Sequence, residues 1–192
     1  MKAKPTPPQI YLLEALEYDD DTGILTWRDD RPLHHFKCVG AQNMINTRQG
    51  GKEAGTVMAK TGYRRVQVHN SEFHLAHRLA WKMKTGKDPI YDIDHIDHDR
   101  LNNRWANLRE ATRAQNCQNA LLSKASTSGM KGAHWDRFIG KWTSAICRDY
   151  RLEYLGQFDT PEEAALAYEQ AAKKYFGEYA HIPEPNDDKA QD

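Results

Sequence analysis

Residues 91 to 116 read Tyr-Asp-Ile-Asp-His-Ile-Asp-His-Asp-Arg-Leu-Asn-Asn-Arg-Trp-Ala-Asn-Leu-Arg-Glu-Ala-Thr-Arg-Ala-Gln-Asn, and this stretch decides the fold. Ile93 and Ile96 bracket Asp94-His95 as a first short strand, and Asn107-Leu108-Arg109 begins a second. Thr112 and Gln115 have the T-x-x-Q spacing of a capping box, which predicts a helix directly after it. That helix carries Asn116 on its first turn. From there the amide side chain points back at the Asp94-His95 strand, so that a carboxylate, an imidazole and an amide meet around one point.

With those residues in that order, the segment resembles the HNH nuclease family, whose compact strand-strand-helix site surrounds a single metal ion. Asp94-His95 stands for the family's D-H pair, Asn107 for its central asparagine, and Asn116 for the last position, where the family uses His or Asn. The resemblance implies that His95 is the general base, taking a proton from the attacking water. It implies that Asp94 and Asn116 are the ligands of one divalent cation, and that Asn107 fixes the turn that aims His95. The chemistry is coherent, because phosphodiester hydrolysis needs an activated water and a cation to neutralise charge growing on the phosphate and the leaving oxygen. Oxygen ligands suit Mg2+ or Mn2+. One departure is Asp97-His98-Asp99, where relatives commonly carry a short Asn-Gly-Asp type turn. His98 reads either as a solvated turn histidine or as a second metal ligand. Upstream, His77-Arg78 resembles the H-R-L segment that leads into many such modules. Arg78 is then a candidate contact to the scissile phosphate, against the plainer reading of a surface arginine on a helix end.

Working outward toward the N-terminus, Leu75, Leu79 and Met83 recur every four residues and Gly86 follows, which predicts a helix over 75–84 with a glycine stop. Before it, Tyr63 to Val68 and Glu72 to His74 read as a hairpin with His69-Asn70-Ser71 as its polar turn. Arg64 and Arg65 point to opposite faces of that hairpin, so at most one of them faces DNA. Residues 31 to 55 are basic, glycine-spotted and without a period, and read as a loop able to lie along phosphates. Ile24 to Trp27 reads as a strand after the Gly23 turn, and Ile10, Leu13 and Leu16, with Tyr11 and Leu12 beside them, predict a short amphipathic helix over 10–18.

Working outward toward the C-terminus, Ser123 to Gly129 has the composition of a flexible linker and marks a domain boundary. Beyond it, His134-Trp135, Lys141 to Arg148 and Arg151 to Phe158 read as three strands, separated at Gly140 and at Asp149-Tyr150. A final helix is announced by Thr160, Pro161 and Glu163, a capping box with proline at the first turn, and stopped by Gly177. Ala164, Tyr168, Ala171 and Tyr175 form its stripe, which assigns both tyrosines to the core. Residues 129 to 180 resemble the ethylene-response-factor type DNA-binding domain of plants. That family lays its three-stranded sheet in the major groove and braces it with the helix, and phage HNH endonucleases often carry such a domain at the C-terminus. The candidate contacts are Lys131, His134, Arg137, Lys141, Thr143, Arg148 and Arg151. Asp136, Ala145 and Cys147 stand where plant members place arginine or glutamate, so no base preference carries over. Trp135 and Trp142 either pack on the helix or stack on DNA.

The whole chain, 192 residues with no net charge, bounds this reading. The first 30 residues carry a net charge of -4 and residues 152–192 carry -7, so the centre, 31–151, holds +11. A polyanion is its natural partner. A mean hydropathy of -0.86, with no run of about 18 apolar residues, excludes a transmembrane helix, and the polar start excludes a signal peptide. Three cysteines, Cys38, Cys117 and Cys147, without a C-x-x-C pair, argue against structural zinc and for reduced, mostly buried thiols. The expected fold class is α+β, made of a ββα-metal (HNH) nuclease module with a β-rich N-terminal extension, plus a small domain of three-stranded antiparallel sheet packed on one helix. The expected domains are an extension at 1–90, the module at 91–122, a linker at 123–129, the sheet-and-helix domain at 130–182 and an acidic tail at 183–192. The expected function is a metal-dependent DNA endonuclease with one Mg2+ or Mn2+ per site and double-stranded DNA as partner. It is phage-encoded, works as a monomer or transient dimer in the host cytoplasm, and has no membrane association. The rival reading is a non-catalytic DNA-binding regulator that retains the HNH scaffold; an RNA-binding protein rests on the charge alone.

Overall fold

The computed structural model describes residues 4–68, 72–119, 122, 126, 128–148 and 151–180. The expected hairpin turn at 69–71, most of the linker, the turn at 149–150 and the acidic tail lie outside the described residues. The chain divides into two compact units between Thr112 and Arg113.

The first unit opens with helix α1 (Gln9–Ala15) and strand β1 (Leu16–Tyr18), which pairs antiparallel with β2 (Leu25–Trp27). The helix therefore stops earlier than the expected Tyr18. Leu16 turns to extended backbone (φ -132°, ψ 152°) because its strand partner Trp27 claims it. The helical stripe also faces the other way. Ile10 and Leu13 are exposed, while Leu12, Ala15 and Leu16 are buried to within 1%. They join Leu25, Val66 and Leu79 in one core, where each large side chain contributes about 2 kcal/mol.

A second correction concerns 31–55, which is no featureless loop. It holds a single 3-10 turn (Leu33–His35) and helix α2 (Val39–Gln49). No residue of α2 is buried, so the sequence shows no apolar period. The helix is held by polar side chains instead. Arg31, only 5% exposed, donates to Asn46 Oδ1 (3.0 Å), Gln49 Oε1 (3.2 Å) and the Ile45 carbonyl (3.4 Å). The amides of Gln42 and Asn46 donate back to the Arg31 carbonyl at 2.8 and 3.1 Å. These five bonds replace a hydrophobic face.

Strands β3 (Thr56–Val57), β4 (Arg64–Val68) and β5 (Glu72–Leu75) form a three-stranded sheet in the order β3-β4-β5. Helix α3 (Ala76–Thr85) follows and ends at Gly86, whose φ of 75° supplies the left-handed stop the sequence predicts. Then β6 (Asp92–His95) and β7 (Leu108–Ala111) make a two-stranded antiparallel ladder, with Asp94 opposite Arg109 and His95 opposite Leu108. Both strands are displaced by one residue from their expected bounds. Ile96 lies past the end of β6, and Asn107 lies in a 3-10 turn before β7. Ile93 and Leu108 pack with Ala80, Tyr18 and Trp81, which fixes β6 and β7 against α3 and the N-terminal hairpin.

The second unit begins with α4 (Arg113–Gln118), which carries Asn116. Strands β8 (His134–Asp136), β9 (Lys141–Arg148) and β10 (Arg151–Phe158) form an antiparallel sheet in the order β10-β9-β8. Helix α5 (Pro161–Phe176) packs on it, with the predicted capping box at Thr160 and Glu163 and its stop at Gly177. The core is Ile146 from the sheet with Ala171, Ala172 and Phe176 from the helix, and Tyr168 and Tyr175 pack against it. The fold class is α+β with small antiparallel sheets. The cysteines correct the remaining expectation, because Cys38, Cys117 and Cys147 are free and all exposed. Each falls on a side chain's solvent face, at the start of α2, on the short α4, and on the sheet face away from α5.

Candidate nuclease site

Asp94 and His95 sit side by side at the end of β6, 6% and 4% exposed. A carboxylate so deep needs a partner, and Arg109, directly opposite on β7, provides one. Its Nε and Nη2 donate to Asp94 Oδ2 at 3.0 and 2.9 Å. The register of the ladder alone brings these two charges together. His95 is boxed by other rings. His77 of α3 meets it edge-on at 5.1 Å, Tyr63 lies at 5.9 Å, and the Arg100 guanidinium covers Tyr63 at 5.0 Å. Burial, with the neighbouring His95 and Arg78 adding to it, pushes His77 down to about 3. His77 is therefore a neutral wall for His95 and not a second acid or base at physiological pH.

The chain between the two strands, 96–107, is closed by side-chain amides. Asn107 donates from Nδ2 to Asp97 Oδ1 (2.8 Å) and to the Asn102 carbonyl (2.8 Å), while its Oδ1 accepts from the Asp97 backbone N-H (3.1 Å). Asn102 donates to the other Asp97 oxygen at 2.6 Å, and the Asp99 backbone N-H donates to Asp97 Oδ1 at 2.9 Å. These hydrogen bonds hold the Asp97 carboxyl below its ordinary value against the opposing effect of burial. His98 adopts φ 66°, a left-handed turn conformation that a glycine would take more readily. Its backbone N-H donates to the His95 carbonyl at 3.1 Å.

The oxygen-rich donors of 91–116, with no cysteine among them, match a hard divalent cation better than a soft one. Asn116 lies on α4, in the second unit, and is half-buried there. Among the described residues a further group of potential ligands is Glu14, His34 and His35. It is accounted for by hydrogen bonds, since both imidazoles reach Glu14 Oε2, at 2.8 and 2.9 Å.

The candidate DNA contacts separate by the face they occupy. On β4, Val66 and Val68 are buried, which places Arg64 on the core side, where it pairs with Glu53 at 2.8 Å. Arg65 is on the outer face, 4.3 Å over Phe73, and lines a groove of about 920 Å³ together with Lys37, Arg48 and Lys52. Arg78 is half-buried on α3. On β9, Ser144 and Ile146 are buried against α5, so the odd-numbered residues face away from the helix. That open face carries Lys141, Thr143 and, by pairing with Thr143, His134. It also carries Leu152 and Tyr154, 76% and 57% exposed, which pair with Cys147 and Ala145. Sequence reasoning missed both, although their exposure follows from strand parity. Arg148 faces the helix side, 4.8 Å over Tyr175, and Arg151 pairs with it. Arg137 is exposed in the β8–β9 turn over Phe138 at 5.2 Å. Lys131 is half-buried and donates to the Gln118 carbonyl at 3.0 Å. Trp135 and Trp142 pack on each other at 5.3 Å, and Trp135 remains half exposed.

Residues 74–118 match the HNH endonuclease family model. Protein 3.8 of Escherichia phage T7 is 30% identical over 107 residues, which span 55% of this chain and 88% of that protein. An uncharacterized HNH endonuclease, L560, of Acanthamoeba polyphaga mimivirus is 37% identical over 127 residues, 64% of this chain and 63% of its own length. The dehydration-responsive element-binding protein 2D of Arabidopsis thaliana is 51% identical over 52 residues, a quarter of each chain (26% and 25%).

Proposed function

Since the chain belongs to the HNH endonuclease family, we propose that it is a metal-dependent DNA endonuclease. The β6–β7 module hydrolyses phosphodiester bonds, and the sheet-and-helix unit selects where on duplex DNA it does so. The observation that carries this reading is the buried Asp94-His95 pair at the end of β6, with Asn107 tying the returning chain directly beneath it. His95 takes the proton of the attacking water. Asp94 would be a carboxylate ligand of a divalent cation, Mg2+ or Mn2+. When bound, that ion neutralises charge on the phosphate and the departing oxygen. Asn116 as its other ligand rests on the family resemblance alone. Asn107 keeps the 96–107 turn closed, so that His95 cannot swing with it.

Charge supports duplex DNA as the partner, since +11 is concentrated in residues 31–151. In the first unit the groove bearing Lys37, Arg48, Lys52 and Arg65 fits a phosphate backbone. In the second, the open sheet face offers His134, Lys141 and Thr143 for polar contacts, with Leu152 and Tyr154 as apolar ones. Arg137, in the adjoining turn, extends it. The likeness to the Arabidopsis protein supports a sequence-selecting role for this unit, and the relatives in phage T7 and a mimivirus support a viral gene acting in the host cell. One catalytic set per chain gives one cut per encounter unless two chains act together. The test is to incubate the protein with a whole phage genome in Mg2+ or in EDTA and to sequence the ends. Discrete ends that need the metal are expected. Binding without cleavage in Mg2+ or Mn2+ would replace the enzyme with a DNA-binding regulator.

A further inference from the structure

Two adjacent asparagines in the 96–107 turn have unrelated tasks. Asn102 points outward to Asp97, whereas Asn103 is 2% exposed and turns inward. Its Oδ1 lies 3.1 Å from His95 Nε2. Which end of that amide faces the imidazole is set by its other end, because Asn103 Nδ2 donates to the Leu101 carbonyl at 3.3 Å. An amide oxygen can only accept. The hydrogen therefore resides on His95 Nε2, and the lone pair of the neutral ring resides on Nδ1.

Asn103 is itself held from the N-terminal hairpin. The Tyr18 hydroxyl donates to the Asn103 carbonyl at 2.7 Å. Burial, followed by Asp20 and Asp19, raises the Tyr18 phenol well above its usual range, so it stays a donor. The β1–β2 turn presses on the same backbone. A Cβ on Gly23, at φ 74°, would lie 2.4 Å from the carbonyl carbon of Asn103 and from the Arg104 nitrogen. Next to it, the Trp105 N-H donates to the Asp20 carbonyl at 3.0 Å. Residues 18–23 thus grip 103–105 at three successive positions, and the first of those positions, Asn103, is the residue that meets His95.

We propose that Asn103 is a positioning residue for His95, fixing the Nε2-H tautomer so that Nδ1 is the atom that takes the water proton, and that the β1–β2 hairpin holds Asn103 for this task. The inference deepens the proposed function and rests on it for the role of His95. It gives the N-terminal hairpin a part in the chemistry beyond packing. A partner one step removed from the reacting atoms typically governs activity by about 10- to 100-fold.

The test starts with the full-length native protein, its histidines labelled with 15N, at a pH where free imidazoles are neutral. The His95 signals are assigned by their loss in His95→Ala. The inference expects a hydrogen on Nε2, visible as a slowly exchanging proton coupled to that nitrogen. A ring protonated on Nδ1 instead overturns it, whether or not the protein cuts DNA, so failure here is distinct from failure of the endonuclease reading. Asn103→Leu keeps the volume without the acceptor. It should lose the slow Nε2 proton and lower kcat about 10- to 100-fold with KM for DNA unchanged. Asn103→Asp, which restores an acceptor, should regain the slow proton. Tyr18→Phe should speed its exchange while leaving the tautomer in place. An Asn103→Leu protein that folds, keeps the slow proton and cuts at the native rate also overturns the proposal.

Discussion

At the residue scale, two cations of the basic centre are held by partners within the protein. Arg109 is spent on Asp94, and Lys131 on the Gln118 carbonyl. For Lys131 the cost shows in its proton affinity, because burial brings the ammonium down from 10.5 to about 8. The folded state thus binds fewer protons than the unfolded chain between those two values, and stability should rise as pH climbs from about 8 toward 10.5. Below about 8 the penalty is present in full. Lys131→Met should therefore melt higher than the native protein at pH 7, with the gap closing as pH rises, as read by thermal unfolding in a pH series. A gap of constant size would remove the cause named here. Single residues were also where the sequence was hardest to read. The strand that carries Asp94 and His95 is legible because its apolar spacing is a pattern. Asn102 and Asn103 were not distinguished, because one amide faces solvent and its neighbour the imidazole, and only the path of the turn decides which.

At the element scale, strands and helices with a chemical signature appear where the sequence puts them. The α5 capping box is present in both its bonds, and the three strands of its sheet fall within a residue or two of their expected bounds. Those signals are local. Helix α2 was invisible because side-chain amides and one arginine hold it in place of an apolar face. Strand β1 also fits the end of α1 in sequence, because Leu16 suits either, and only the pairing with β2 settles it. The sheet of the second unit depends on one close approach. A Cβ on Gly132, at φ 83°, would lie 2.2 Å from Cβ and Cγ of Tyr168 on α5. Gly132→Ala should cost about 3 kcal/mol, combining a left-handed backbone with overpacking. Denaturant titration would show it, and Tyr168→Ala should recover part of the loss in the double variant. A cost below about 1 kcal/mol would mean that α5 can shift freely on the sheet.

At the scale of the whole molecule, a net charge of zero conceals a cationic centre between acidic ends, and that partition was readable from the sequence alone. The three-dimensional arrangement was not. Strand parity sends Arg148 and Arg151 to the helix side and Arg64 to the core side, so the number of positive charges facing a duplex is smaller than a count of the sequence suggests. The central claim is nonetheless chemical, that one imidazole on β6 does the work of cutting. Supercoiled plasmid with Mg2+ tests it most directly, comparing native protein with His95→Ala at concentrations where both are bound. The account predicts nicked or linear DNA from the native chain and a loss of about 10²-fold or more in the variant. Equal cleavage by the two proteins would contradict it.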